Sequence, residues 1–244
     1  SLPEMNERIN ELLKQSIKSD GVINLFSDIK EEFSLFDPKF LQEVANMKEK
    51  NLAVELLKKL IAEQVSVYRR TNIVKSEKFS EIMQRAINAY LNGMLTNEEV
   101  IEEMLKLAKQ IAADQKEGDK LGLTVDELAF YDALTKPQAI KDFYENEELI
   151  AITKELADTL RKNKTIDWQK RESARAKMRM LIKKLLKKHK YPPEGMDDAV
   201  QTVMTQCELW TDNYNFEKKG NVYSYNNHID GRLLLVVEDR DKYK

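Results

Sequence analysis

The side chains able to do chemistry are few and scattered. Histidine occurs at His189 and His228, and cysteine only at Cys207. His189 follows a run of lysines at the end of a helical pattern, a position suited to the negative end of the helix dipole. His228 stands among asparagines, with no second His or Cys nearby to complete a metal site. Cys207 falls on an apolar stripe without a His neighbour, so it reads as a core thiol and not an activated nucleophile. Acid-x-Lys triplets of the nuclease kind occur at Asp28-Ile29-Lys30, Asp114-Gln115-Lys116 and Glu217-Lys218-Lys219. None sits on a strand with a second carboxylate placed to share a metal. Chance supplies such triplets in a chain that is 34% charged. The seven glycines are dispersed, which excludes the Gly-x4-Gly-Lys-Ser/Thr loop that cradles nucleotide phosphates. The expectation is no catalytic residue, no metal ligand and no cofactor within this chain.

What remains is recognition, and it centres on residues 165–193, TIDWQKRESARAKMRMLIKKLLKKHKYPP. Met178, Leu181, Ile182, Leu185 and Leu186 recur at helical spacing, and Trp168 falls near the same side. Asp167 reads as the N-cap, and Pro192 and Pro193 as the stop. The flanks carry Lys170, Arg171, Arg175, Lys177, Arg179, Lys183, Lys184, Lys187, Lys188 and Lys190, opposed only by Asp167 and Glu172. These cations form either a solvated face or a surface for phosphate or an acidic protein. No aromatic residue interrupts them after Trp168, so a nucleic acid would be met at its backbone, through Lys177, Lys183, Lys184, Lys187 and Lys188.

The rest of the chain must hold that helix in place. With 244 residues it can bury a sizeable core in one large domain or two small ones. A net charge of −2 gives no bulk attraction to nucleic acid, so only a local patch could bind it. A lone cysteine rules out an internal disulfide and fits a reducing cytoplasm. No apolar run approaches the ~20 residues of a membrane span. The polar start SLPEMNERIN is no signal peptide, and Ser1-Leu2 without a Met suggests a natural start elsewhere. Few glycines and prolines with high charge point to an all-α fold.

Helices are expected from Pro3 to Ile17, over 22–33, from Asp37-Pro38, over 51–70, and over 76–92 closed by Gly93. A capping box at Thr96/Glu99 starts another and a box at Thr124/Glu127 starts ELAFYDAL. Further helices are expected over 147–162 and from Gly195 to about Thr211. Met83, Met104, Met178, Met180 and Met204 read as core filler. The polar, glycine-bearing run 115–122 reads as a loop and candidate hinge. Residues 233–238, LLLVVE, read as a strand of a hairpin around Gly220 or Asp230-Gly231, or else the tail is irregular. The fold expected is therefore an irregular multi-helix bundle in one or two lobes, spanning 1–212, with a tail over 213–244.

Five segments occur in a familiar order: DGVINLFSD (20–28), FLQEVANMKEKNLAVELLKKLI (40–61), LTNEEVIEEMLKLAKQI (95–111), LGLTVDELAFYDAL (121–134) and IDWQKRESARAKMRMLIKKLLKKHKYPPE (166–194). In these, roughly over residues 20–210, the chain resembles the C-terminal helical region of the restriction (R) subunit of type I restriction–modification enzymes. Residues 136–146, KPQAIKDFYEN, fit that pattern less well, and nothing after Asp212 aligns. The resemblance implies a cytoplasmic, non-catalytic module. The nuclease and ATP- and magnesium-dependent motor domains of the parent would lie upstream. Its partners would be the methyltransferase and specificity subunits, with DNA met indirectly or through backbone contacts. No catalytic residue carries over. The matched positions expected to face a partner are Glu127, Tyr131, Asp132, Trp168, Arg171, Arg175 and Arg179. The alternative is a non-specific DNA-backbone-binding module beside the motor.

Overall fold

A computed structural model describes residues 35, 37–165 and 167–218, with side chains to Asp212, and two strands at 223–227 and 233–237. The helices expected over 3–17 and 22–33 lie outside the described residues. The described helical chain falls into two compact units, one of residues 37–62 and 82–112, the other of 63–81 and 113–218. Each is almost wholly helical, in accord with the expected all-α bundle.

In the first unit, α1 (Pro38–Ala45) starts as its sequence dictates. Asp37 Oδ1 accepts from the Lys39 amide at 2.9 Å and Pro38 takes the first helical position. Phe40, Leu41 and Val44 are buried. Two long helices, α2 (Lys50–Thr71) and α3 (Ile73–Leu91), contribute to both units. On α2 the buried stripe runs through Ala53, Val54, Leu57, Leu60 and Ile61, while the expected Leu52 and Leu56 are half-buried. The Thr96/Glu99 capping box opens α4 (Asn97–Gln115), with Thr96 N donating to Glu99 Oε2 at 2.7 Å. Its Val100, Ile101, Met104, Leu107, Ala108 and Ile111 are buried.

The second unit is built around α6 (Val125–Leu134), which follows the short α5 (Glu117–Leu121). The run 115–122, read above as a loop, is thus largely helical. Its glycine explains why: a Cβ on buried Gly118 would stand 3.2 Å from Leu128 Cδ2 and 3.3 Å from the Leu123 carbonyl. The glycine lets α5 close onto α6. The Thr124/Glu127 box is made in both directions, at 3.0 and 3.2 Å. Beyond its first turn α6 has no polar stripe, and Leu128, Ala129, Phe130, Tyr131, Ala133 and Leu134 are all buried. A helix apolar on every side belongs in the middle of a bundle, and α6 packs against α8 (Asn146–Asn163) and α10 (Pro193–Lys218). The small α7 (Gln138–Phe143) precedes α8.

Such a helix forces Asp132 inward, and the break between α2 and α3 receives it. Asn72 is the only residue between those helices. Its Oδ1 caps α3 by accepting from Lys75 N at 3.1 Å, and its Nδ2 donates to Asp132 Oδ2 at 2.7 Å. The buried Lys75 ammonium donates to the Asp114 carbonyl at 2.9 Å and lies 3.8 Å from Asp132. Gln206 of α10, 2% exposed, closes the break from the other side. Its Oε1 accepts from Ile73 N at 2.9 Å and its Nε2 donates to the Thr71 carbonyl at 2.8 Å. Burial pushes the Asp132 carboxyl up to about 6, although Lys75 and Asn72 pull it down.

The basic segment departs from the single helix expected. Trp168–Lys170 is a turn of 3-10 helix, and α9 proper runs Glu172–Lys188 with Arg171 at its N-cap. Asp167 is no cap: its backbone is left-handed at φ 55° and its side chain makes an ion pair with Lys170 at 3.4 Å. The kink lets Trp168 turn inward. Its ring is fully buried and its Nε1 donates to Thr211 Oγ1 at 3.0 Å. At the far end β1 (Tyr223–Asn227) pairs antiparallel with β2 (Leu233–Val237), Asn227 opposite Leu233.

Two measurements test the polar clamp. Gln206→Leu keeps the volume but strips both junction bonds, and should lower stability in urea by about 1–3 kcal/mol. For Asp132, the folded carboxyl keeps its proton to about 6 whereas its ordinary value is 3.8. Between those values the folded state binds more protons, so stability falls as pH rises through the window. The fall should be on the order of 2–3 kcal/mol. Asp132→Asn should flatten that slope, whatever its offset in absolute stability.

Candidate functional site

Among the described residues no group of three or more His, Cys, Asp or Glu side chains is arranged to hold a metal ion. Cys207 is buried and burial pushes its thiol up to about 12, away from thiolate chemistry. His189 is the C-cap of α9, as read from the sequence, and its Nε2 lies 2.6 Å from Glu155 Oε2. Lys188 and His189 together hold the Glu155 carboxyl below the usual range. Asp114 of the second acid-x-Lys triplet is engaged by Lys78 at 3.1 Å. The first triplet, His228 and the side chains of the third lie outside the described residues.

The feature with surface to offer is α9. Its inner face is spent: Met178, Ile182, Leu185 and Leu186 are buried in the second unit's core, with Ala174 and Leu181 beside them. Its shoulders are also engaged. Arg175 pairs with Glu208 of α10, Arg179 with Glu172, Lys183 with Asp197 at 2.8 Å and Lys188 with Glu155 at 2.6 Å. Lys183 in turn lowers the Asp197 carboxyl. What remains is the outward face. Lys177, Lys184 and Lys187 are exposed and make no hydrogen bond or ion pair among the described residues. With Met180 they fall at i, i+3, i+7 and i+10, one row about 15 Å long opposite the buried stripe. Met180, expected as core filler, is 61% exposed in the middle of that row. Counting 100° per residue from Ile182 would have put it there. Its place in the run Met180-Leu181-Ile182, where the next two residues belong to the stripe, hid this.

The residues expected to face a partner divide sharply. Tyr131 is buried, with burial raising its hydroxyl and Lys141 5.5 Å from its ring centre. Asp132 is inside the junction network and Trp168 inside the core. Glu127 completes its capping box. Arg175 and Arg179 are half-buried and paired, and Arg171 is exposed with no such bond among the described residues. The premise that these side chains are to spare therefore fails for all but Arg171. The reason is physical: a short helix apolar on every side leaves no solvent face for Tyr131 or Asp132. Of the cations proposed for phosphate, Lys177, Lys184 and Lys187 share the outward row, while Lys183 and Lys188 are tied down.

Sequence reading also passed over Phe143, 59% exposed at the end of α7. Its ring packs edge-on to Tyr144 at 4.8 Å, and Tyr144 Oη donates to the His189 carbonyl at 2.8 Å. Tyr144, 45 residues upstream of His189, thus ties the end of α7 to the C-terminal end of α9. Tyr191 anchors the same end through a 2.7 Å bond to the Leu134 carbonyl.

Comparison with known proteins gives this arrangement a context. Residues 1–213 match the family described as type I restriction enzyme HindI endonuclease subunit-like, C-terminal. The chain is 39% identical over 209 residues to the type I restriction enzyme HindI endonuclease subunit of Haemophilus influenzae, covering 83% of this chain and 20% of that protein. It is 31% identical over 199 residues to the putative type I restriction enzyme MjaIXP endonuclease subunit of Methanocaldococcus jannaschii, covering 80% and 18%. The chain spans about a fifth of the length of these relatives. No solved structure matches it. The resemblance read from five sequence segments thus holds over nearly the whole helical region, and the chain belongs to the family of C-terminal regions of type I restriction endonuclease subunits.

Proposed function

We propose that this chain is a non-catalytic assembly module, the helical C-terminal part of a type I restriction endonuclease subunit, which docks that subunit onto the methyltransferase and specificity subunits. Nuclease and ATP- and magnesium-driven motor domains would belong to the parent subunit outside this chain. The complex would work in the cytoplasm, and no described helix is long and apolar enough to cross a membrane.

One observation carries the reading. The outward row of α9 offers three unpaired lysines around an exposed thioether, on a helix whose other faces are fixed by a core and by ion pairs from Arg175, Lys183 and Lys188 to neighbouring helices. An apolar centre ringed by charge is the anatomy of a protein interface, and methionine adapts to a partner's contour. In this reading Glu127, Tyr131, Asp132, Trp168, Arg175 and Arg179 act indirectly, by fixing the orientation of α6 and α9. The three unpaired lysines also favour a second reading, contact with the DNA backbone.

Gel filtration with a methyltransferase–specificity complex at micromolar concentration tests the proposal, with co-elution expected. Reversal of Lys177, Lys184 and Lys187 to Glu should weaken association about tenfold or more and leave the fold unchanged, since all three are exposed. Met180→Ser should weaken protein docking but leave phosphate contact untouched. A duplex titration completes the comparison. Affinity falling by about one power of salt per phosphate neutralised, lost on lysine reversal and indifferent to Met180, would establish the DNA reading instead.

A further inference from the structure

The α3–α4 turn, in the first unit, displays apolar surface that no described residue covers. Leu91 and Met94 are 73% and 74% exposed and three residues apart. Residues 86–97, AINAYLNGMLTN, carry no charged side chain in a chain that is 34% charged. The turn is held at both ends. Gly93, at φ 72°, closes α3: Gly93 N donates to the Tyr90 carbonyl at 3.0 Å and Met94 N to the Ala89 carbonyl at 2.8 Å. The Thr96/Glu99 box follows directly, and Tyr90 Oη donates to Asn97 Oδ1 across the turn at 2.7 Å. In this kind of helix ending the residue at the Met94 position commonly folds back on the helix to shelter its side chain. Here it does not.

We infer that this turn is a preformed apolar knob that seats in an apolar cleft of the same subunit, in the part that lies outside this chain. The inference shares with the proposed function the premise of a longer parent subunit, but not the docking role of α9. Two arguments select that occupant. A stable contact between separate chains needs about 800 Å² from each partner, and one turn with two such side chains offers well under half of that. A tethered cleft needs far less, because the connection itself supplies an effective concentration in the millimolar range. The relatives this chain matches are about five times its length, so the tethered surface is available. A turn already ordered loses little freedom on seating, and the absence of charge over 86–97 leaves no ion to desolvate.

Methionine oxidation in the full-length subunit tests this without truncation. The subunit is treated with dilute hydrogen peroxide beside N-acetylmethionine amide, and sulfoxide at each methionine is followed by mass spectrometry. The exposure of Met94 alone would give a rate near that of the free amide. Seating should slow Met94 about tenfold or more, and Leu91→Glu should restore the fast rate. Met104 and Met178, 0% and 1% exposed, must stay slow in that variant, which shows that it remains folded. Met94 reacting at the free rate in the unmodified subunit overturns the inference. So does protection that appears only when the methyltransferase–specificity complex is added, or that grows with subunit concentration; these outcomes give the knob to another subunit or to a second copy. Met180 reports separately: its loss of reactivity on adding that complex follows the α9 docking, whichever way Met94 behaves.

Discussion

A single break in the helical path, between Thr71 and Ile73, is the constraint on which the second unit depends. A helix end buried in a bundle leaves amide and carbonyl groups that water cannot reach. Here two side chains answer them, one at the break and one from far along the sequence, and an acid holds the first in place. Asn72 caps the second helix, Gln206 bridges both sides of the break, and Asp132 accepts from Asn72 with Lys75 alongside. The cost is a buried acid and a buried ammonium, which apolar residues of the same size would avoid. The return is register: the junction, α6 and α10 can meet in one arrangement only if all these bonds form together.

From that junction the rest of the second unit follows. Fixing α10 through Gln206 also fixes Cys207, Glu208 and Thr211, which lie within the next turn and a half of the helix. Thr211 receives the Trp168 indole and Glu208 receives Arg175. The polar bonds that close the helix break therefore also determine where the basic helix lies and which of its sides faces out. Residues that contact nothing external set the direction in which Lys177, Met180, Lys184 and Lys187 point.

Much of this was legible in the sequence, because local chemistry dictates local structure. Asp37-Pro38 and the hydroxyl–acid boxes at Thr96 and Thr124 set helix starts where the structure has them, since capping depends on residues three apart. The stripe Met178, Ile182, Leu185, Leu186 faces the core as its spacing demands. What escaped was long-range. Nothing near Asp132 announces that Asn72, sixty residues earlier, and Lys75 will receive it. An acid on a short helix invites the reading of a surface contact, and only the burial of α6 on all sides reverses that. Gln115 to Gly122 looked like a loop because polarity and glycine usually mark one. The glycine was instead demanded by the approach of Leu128. Asp167 looked like a cap because cap residues are recognised by type, whereas its left-handed backbone and the 3-10 turn after it follow from the burial of Trp168.

The central functional claim is that the outward row of α9 is a protein interface, and lysine footprinting addresses it directly. The endonuclease subunit, alone and bound to the methyltransferase–specificity complex, is acetylated briefly and each lysine is followed by mass spectrometry. Assembly should suppress modification of Lys177, Lys184 and Lys187 together while leaving Lys58 and Lys106, exposed on the first unit, unchanged. Equal modification of those three lysines in the free and assembled subunit would contradict the account.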